Sequence, residues 1–244
     1  MTFVLIFTAF LWAGVQNALA GGGTFVTLPV LIFTGLDPRS ANITSTLALF
    51  PAQAAAAWTG RGLVAGAAGV SFAWLTGISL AGGALGAMLL LITPQSFFEH
   101  LIPWLVLFAT GVFAWGSFGR PPHAAPSIGS TETALIQFGI SIYGGYFGGA
   151  IGFLMFAALT SAGLALRSAG ATKNVLAAVM NASAVAIFVF SPEVRWPAAA
   201  VGCGGGLIGA VIGGLALSRI SERALRLFVV LVGAALSIGL FVRG

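Results

Sequence analysis

The stretch Ala20-Gly21-Gly22-Gly23-Thr24-Phe25-Val26-Thr27-Leu28-Pro29 sits inside an apolar run extending from residue 2 to residue 34. One straight helix of about 33 residues would reach about 50 Å, whereas the hydrocarbon layer of a bilayer is about 30 Å thick. Each glycine in a helix interior costs about 1 kcal/mol against alanine, and Pro29 follows the three glycines, so the run reads as a broken helix. A second run of the same length, 133–165, carries Gly144-Gly145, Gly148-Gly149 and Gly152 in its interior. In lipid, irregular backbone survives only where it lines a cavity or is buried in protein, so two such breaks point to one shared central site.

Working outward, the whole chain agrees with a bilayer setting. Of 244 residues, 59% are hydrophobic and only 6% charged, where a soluble domain carries about a quarter charged. Ten Lys and Arg against five Asp and Glu give +5, too thinly spread for a nucleic-acid surface. The single cysteine, Cys203, excludes an internal disulfide and a cysteine metal cluster, and its setting among glycines suits a small packing residue. Residues 1–20 end in Ala18-Leu19-Ala20, imitating a signal-peptide cleavage site, but the run has no Lys or Arg and contains Gln16 and Asn17. It is expected to stay as a structural segment.

Polar punctuation divides the chain into eight apolar elements, near 2–34, 41–58, 63–92, 101–116, 133–165, 174–190, 197–217 and 224–242. The pattern repeats. Gly35-Leu36 returns 128 residues later as Gly163-Leu164, Ala41-Asn42-Ile43-Thr44-Ser45 falls on Ala169-Gly170-Ala171-Thr172-Lys173, and Gln53 falls on Asn181. The expected organisation is two four-element repeats, 1–118 and 132–244, joined by a linker over 119–131.

Lys and Arg prefer cytoplasmic loops, which lets charge test the topology. With all eight elements crossing, Arg39, Arg167, Lys173, Arg219, Arg223 and Arg226 share one side, against Arg61, Arg120, Arg195 and Arg243. If elements one and five instead fold back at their glycines, Arg61, Arg120, Arg167, Lys173, Arg219, Arg223 and Arg226 share a side, against Arg39, Arg195 and Arg243. The second arrangement has the stronger bias and makes the repeats inverted, the plan of many secondary transporters.

Candidate binding groups follow from the breaks. Backbone N–H groups at a half-helix start, around Gly21, Gly22, Gly23 and Thr24, attract an anion through unpaired donors and the helix dipole. Gly148, Gly149 and Gly152 would supply the facing side. Polar residues gather near both breaks: Asn42, Thr44 and Ser45 in the first half, Thr172, Lys173 and Asn174 in the second. Gln53 and Asn181 lie deeper. Thr44 and Thr172 could equally cap helices, and Gln53 and Asn181 could simply bond across helices. A lysine at a helix start in the membrane is costly unless it faces water, a partner or an anion, and the repeat mate of Lys173 is the neutral Ser45; snorkelling to the interface is the other reading. No carboxylate sits mid-element, His100 and His123 have no ligand set, and no nucleophile–histidine pair lies within the spans. Neither a metal site, a cofactor nor an enzyme activity is expected.

The two glycine signatures, with Gly35-Leu36-Asp37-Pro38-Arg39-Ser40-Ala41-Asn42-Ile43-Thr44-Ser45 after the first, and Tyr143-Gly144-Gly145-Tyr146-Phe147-Gly148-Gly149-Ala150-Ile151-Gly152 then Ala169 to Asn174 and Asn181 in the second half, resemble the TauE/SafE sulfite-exporter family. The resemblance covers nearly the whole chain. It implies a multi-pass transporter of the bacterial inner membrane that exports sulfite or moves related small organosulfur anions. Two family features are replaced: Ala157 stands where the second hairpin usually has proline, and Val194-Arg195-Trp196 replaces a Val-Asp-Trp. A small anion and the lipid bilayer are the expected partners. Pairs such as Gly82/Gly86, Gly205/Gly209 and Gly209/Gly213 could pack helices within one chain or in a homodimer. An anion channel or a non-transporting membrane scaffold is the competing class.

Overall fold

The computed structural model describes residues 1–19, 22–118, 128–216 and 222–243. Within them lie ten α-helices: α1 (Thr2–Leu19), α2 (Thr24–Phe33), α3 (Pro38–Gly60), α4 (Phe72–Ile92), α5 (Gln95–Phe118), α6 (Ser130–Tyr146), α7 (Ile151–Ser161), α8 (Leu166–Phe188), α9 (Trp196–Ala216) and α10 (Glu222–Arg243). The fold is all-helical among the described residues, with a single 3-10 turn at Arg61–Leu63.

Local chemistry explains the boundaries. The Asp37 side chain accepts from Ser40 N at 2.9 Å and Pro38 takes the first helical position, which together start α3. Ser71 caps α4 by accepting from Trp74 N at 3.2 Å. Helix α2 ends where Gly35 adopts φ +97°, and α7 ends the same way at Gly163, φ +88°. In both turns the next residue bonds back five positions along the chain, Leu36 N to Leu31 O at 3.2 Å and Leu164 N to Leu159 O at 3.0 Å.

These boundaries correct part of the sequence reading. Residues 167–173 were expected to be a connection, yet they are the first turns of α8, because the chain turns at Gly163 and polar side chains do not stop a helix. Likewise α5 begins at Gln95 and includes Glu99 and His100, whose contacts, Gln95 Nε2 to Glu99 Oε1 at 3.0 Å and His100 Nδ1 to Ser96 O at 2.6 Å, follow one helical turn. Thr44 and Thr172 are not caps: α3 is capped by Asp37 and the N-cap of α8 is Ala165.

Among the described residues four helices are long and apolar enough to cross a membrane, Phe72–Ile92, Gln95–Phe118, Leu166–Phe188 and Trp196–Gly213. The surface agrees. Trp58, Trp74, Trp104, Trp115, Leu215 and Val242 face outward, while Gln16, Thr27, Asn42, Thr44, Ser45, Gln137, Ser141, Thr172 and Asn181 are buried. Apolar side chains outside and polar ones inside suit lipid as the solvent. This is a polytopic membrane protein.

Helix pairing interlocks the two ends of the sequence. Helix α1 packs on α9, α6 on α4, α3 on both α8 and α9, α8 on α4, and α5 on α10. The tightest seams need bare backbone: a Cβ on Gly209 would strike the Leu11 carbonyl, and one on Gly86 the Ile142 carbonyl. Gly82 and Gly205 also meet neighbours in the same chain, so these glycines serve internal packing.

Polar ties close the two ends of the bundle. At one end Arg39, near the start of α3, pairs with Glu193 in the α8–α9 turn and donates to the Thr93 carbonyl at the end of α4. Beside it Thr44 Oγ1 accepts from Arg195 N at 3.1 Å. At the other end Thr172 Oγ1 accepts from Ala65 N at 3.0 Å, and Arg226 Nη1 donates to Ser117 O at 3.1 Å.

Candidate anion site at two helix starts

The starts of α2 and α7 meet across one residue of α5. The Phe113 ring packs on Phe25, second in α2, at 5.8 Å between centroids, and on Phe153, third in α7, at 4.5 Å. A Cβ built on Gly22 would lie 2.7 Å from the Phe113 ring, and one on Gly149 would lie 3.1 Å from Ala109, a turn earlier on α5. Both approaches thus fall on one turn inside α5. Gly22 and Gly148 each hold a positive φ, +84° and +82°, which side-chain-bearing residues rarely adopt. Ala150 adopts φ +59° as the N-cap of α7, without a side chain able to satisfy the amides that follow.

At the first start, Asn17 Oδ1 accepts from Gly23 N at 2.7 Å. That amide, one of those expected to meet an anion, already has a partner. Thr24 begins α2, and Thr27 one turn on meets Ser45 of α3, hydroxyl to hydroxyl, at 2.6 Å. Gly21 lies outside the described residues.

At the second start stands Lys173, 128 positions after Ser45. Its Nζ lies 3.5 Å from where a Cβ on Gly152 would be, so the ammonium reaches the first turn of α7. Among the described residues it makes no ion pair and no hydrogen bond. An ammonium and the positive end of a helix dipole repel each other, so their juxtaposition leaves an unbalanced positive potential. Asn174, half-buried, follows it on α8.

The remaining expected residues do other work. Asn42 Nδ2 donates to the Tyr146 carbonyl at 3.0 Å, tying α3 to the end of α6. Thr172 is saturated by Ala65, accepting from its N–H and donating to its carbonyl at 3.4 Å, and Thr44 holds Arg195 N–H. Gln53 and Asn181 bond each other where α3 crosses α8. They stand eight positions beyond Ser45 and Lys173, about 12 Å along their helices.

Sequence reasoning passed over three participants. Phe113 is a fully buried phenylalanine in an apolar helix, with no local mark to distinguish it. Asn17, noted only as a polar residue, turns out to hold the Gly23 amide. Tyr143 stands at the end of α6 against Phe108 and Phe147, its hydroxyl buried without a partner among the described residues. No group of three or more His, Cys, Asp or Glu able to hold a metal occurs among the described residues.

Comparison with known proteins agrees with this frame. The sequence model of the family described as Sulfite exporter TauE/SafE matches residues 6–240. A "Probable membrane transporter protein" of Haemophilus influenzae is 26% identical over 226 residues, 88% of this chain and 85% of that protein. The "Probable membrane transporter protein ORF9" of a Sinorhizobium species is 28% identical, over 96% of this chain and 90% of its own length. The "Probable membrane transporter protein YfcA" of Escherichia coli K12 is also 28% identical, over 96% of this chain and 87% of its own. With nearly its full length matched, the chain belongs to the TauE/SafE sulfite exporter family, a family of membrane transporters.

Proposed function

We propose that the protein carries sulfite, or a related small sulfur-containing anion, across a bacterial inner membrane by alternating access between two inverted halves, 1–118 and 132–244. The observation that carries this reading is Lys173: a cation with no counter-charge among the described residues, set against the first turn of α7. A negatively charged solute is what balances it. The start of α2, brought to the same Phe113, supplies the facing surface. Gly22, Thr24, Ser45, Gly148, Gly149, Gly152 and Asn174 line the proposed site, with Lys173 as its charge. Thr44 and Thr172 are left out because their hydroxyls are committed to the end ties.

Two patterns support inverted halves. Helices α3 and α8 each span 23 residues, and α4 and α9 each span 21. The pairing of α1 with α9 is mirrored by that of α6 with α4. The end ties bear on topology as well. If every apolar element crossed, Arg39 and Glu193 would stand on opposite faces, as would Arg226 and Ser117, yet each pair is bonded. Stretches 2–34 and 133–165 that return to the side they enter satisfy both ties, and the side with more Lys and Arg then faces the cytoplasm.

The test is binding and proteoliposome flux measured with sulfite, thiosulfate, sulfoacetate and sulfate. Saturable flux of at least one sulfur anion is expected. Ohmic current without saturation, or no binding of any member of the panel, would overturn the proposal.

A further inference from the structure

We infer that Arg39 and Glu193 are the latch of a gate that closes one end of the transporter, and that the matching positions at the opposite end, Arg167 and Ala65, form no such pair. This rests on the alternating-access reading above. The guanidinium of Arg39 ties α3 to two other elements at once, the α8–α9 turn and the end of α4. Its Nε donates to Glu193 Oε2 at 2.8 Å, a second nitrogen to the other carboxylate oxygen, and the third to the Thr93 carbonyl. A planar fork bound on both edges is the geometry that fixes position as well as charge. The pair is largely buried, 16% and 21% exposed at the two side chains, so water screens it less than it would a surface pair. It joins the first half to the second, the boundary across which rocking halves must part.

The asymmetry is written in the sequence. At the same 128-residue offset that relates Gln53 to Asn181, Arg39 corresponds to Arg167, and Glu193 corresponds to Ala65. The cation is present in both halves and the carboxylate in one. Arg167 is exposed and forms no ion pair among the described residues, while Ala65 instead contacts Thr172 through its backbone. The threonine tie therefore recurs at both ends, Thr44 with Arg195 and Thr172 with Ala65, but the Arg39–Glu193 pair has no counterpart between Arg167 and Ala65. At the Arg39 end the charge pair must part as well as the threonine tie. The protein is thus biased toward closure at the Arg39 end until something offsets that pair, and an arriving anion competing for Arg39 is one such agent.

Ile43 lies one turn below Arg39 on α3 and is fully buried. In a Cys203→Ser background, Ile43→Cys in proteoliposomes is labelled with a membrane-impermeant maleimide from the Arg39 side. Adding Glu193→Gln or Arg39→Gln is expected to raise the labelling rate about tenfold, within the usual range for one coupling interaction. The swapped pair, Arg39→Glu with Glu193→Arg, should return it toward the starting value, and Arg167→Gln should leave it unchanged. Equal labelling with the pair intact and broken would overturn the latch. So would failure of both single variants and the swap to fold, which would make the pair a purely structural tie. Labelling needs no solute, so the two proposals separate: a labelling change without sulfur-anion flux sinks the substrate reading alone, and flux with unchanged labelling sinks the latch alone.

Discussion

Asn181 Nδ2 donates a hydrogen bond to Gln53 Oε1 at 2.5 Å, and the two residues stand 128 positions apart. The same offset relates Gly35 to Gly163, both at positive φ, and Thr44 to Thr172, each tied to the turn that follows the other's helix. Corresponding residues of two halves touch each other only where an axis relating those halves passes between them. On the inverted arrangement proposed above, the crossing of α3 and α8 is that place, and it is where relative rotation of the halves would move side chains least.

A pivot of this kind has a measurable coupling. Gln53→Ala and Asn181→Ala, singly and together, form a double-mutant cycle read by thermal unfolding in detergent. The expected coupling is about 1 kcal/mol, the usual scale for one interhelical side-chain bond. Additive effects would mean that the two amides do not depend on each other.

The end ties predict sidedness. With Cys203 replaced by serine, single cysteines at Pro94 and Pro192 should label from one face of the membrane, and cysteines at Gly62 and Arg167 from the other; all four positions are exposed. A chain crossing eight times would instead group Pro94 with Arg167 and Pro192 with Gly62. The two groupings share no outcome.

Why some of this was legible in the sequence, and some not, follows from the range of the forces involved. A membrane chain announces itself through composition, since lipid demands about 20 apolar residues per crossing. Gly35 and Gly163 mark turns because the positive φ is a local requirement. Residues 167–173 were misjudged because polarity was taken for a break, whereas the dihedral at Gly163 ends one helix and frees the chain to begin the next. Lys173 stood out because a lone charge in an apolar setting is costly wherever it points. Phe113 and the Arg39–Glu193 pair could not be read: an apolar ring among apolar residues carries no signal, and the partners of the pair lie 154 residues apart. The commitment of the Gly23 amide to Asn17 depends on a turn geometry that three consecutive glycines leave open.

The helix seams set a steric limit. Gly86→Ala and Gly209→Ala each drive a methyl group into a backbone carbonyl of the facing helix, and backbone cannot step aside as a flexible side chain can. A loss of about 1–3 kcal/mol is expected for each, seen as a lowered melting temperature. Gly170→Ala, with nothing within 4 Å of the added carbon, is the control and should melt as the parent does or slightly higher.

The Tyr143 hydroxyl is buried with no partner among the described residues, wedged between Phe108 and Phe147. An unpaired buried hydroxyl costs about 1–3 kcal/mol of desolvation. Tyr143→Phe removes the hydroxyl and keeps the ring contacts, so the solute-free protein should melt a few degrees higher. A lower melting temperature would show that the hydroxyl has a partner in the membrane.

On the proposed reading, Lys173 sets the sign of the solute. Replacing it with methionine keeps most of the side-chain length against Gly152 and removes the charge. Sulfite affinity should fall more than tenfold, because an anion left uncompensated in a low-dielectric site loses more than 1.4 kcal/mol. Folding should not suffer, since the ammonium has no carboxylate to leave behind among the described residues. Lys173→Arg keeps the charge on a bulkier group and should retain binding within about tenfold. The measurement is equilibrium binding of sulfite to purified protein, with the melting temperature of each variant alongside. Unchanged affinity in a well-folded methionine variant would remove Lys173 from the site and, with it, the principal reason for placing an anion between the starts of α2 and α7.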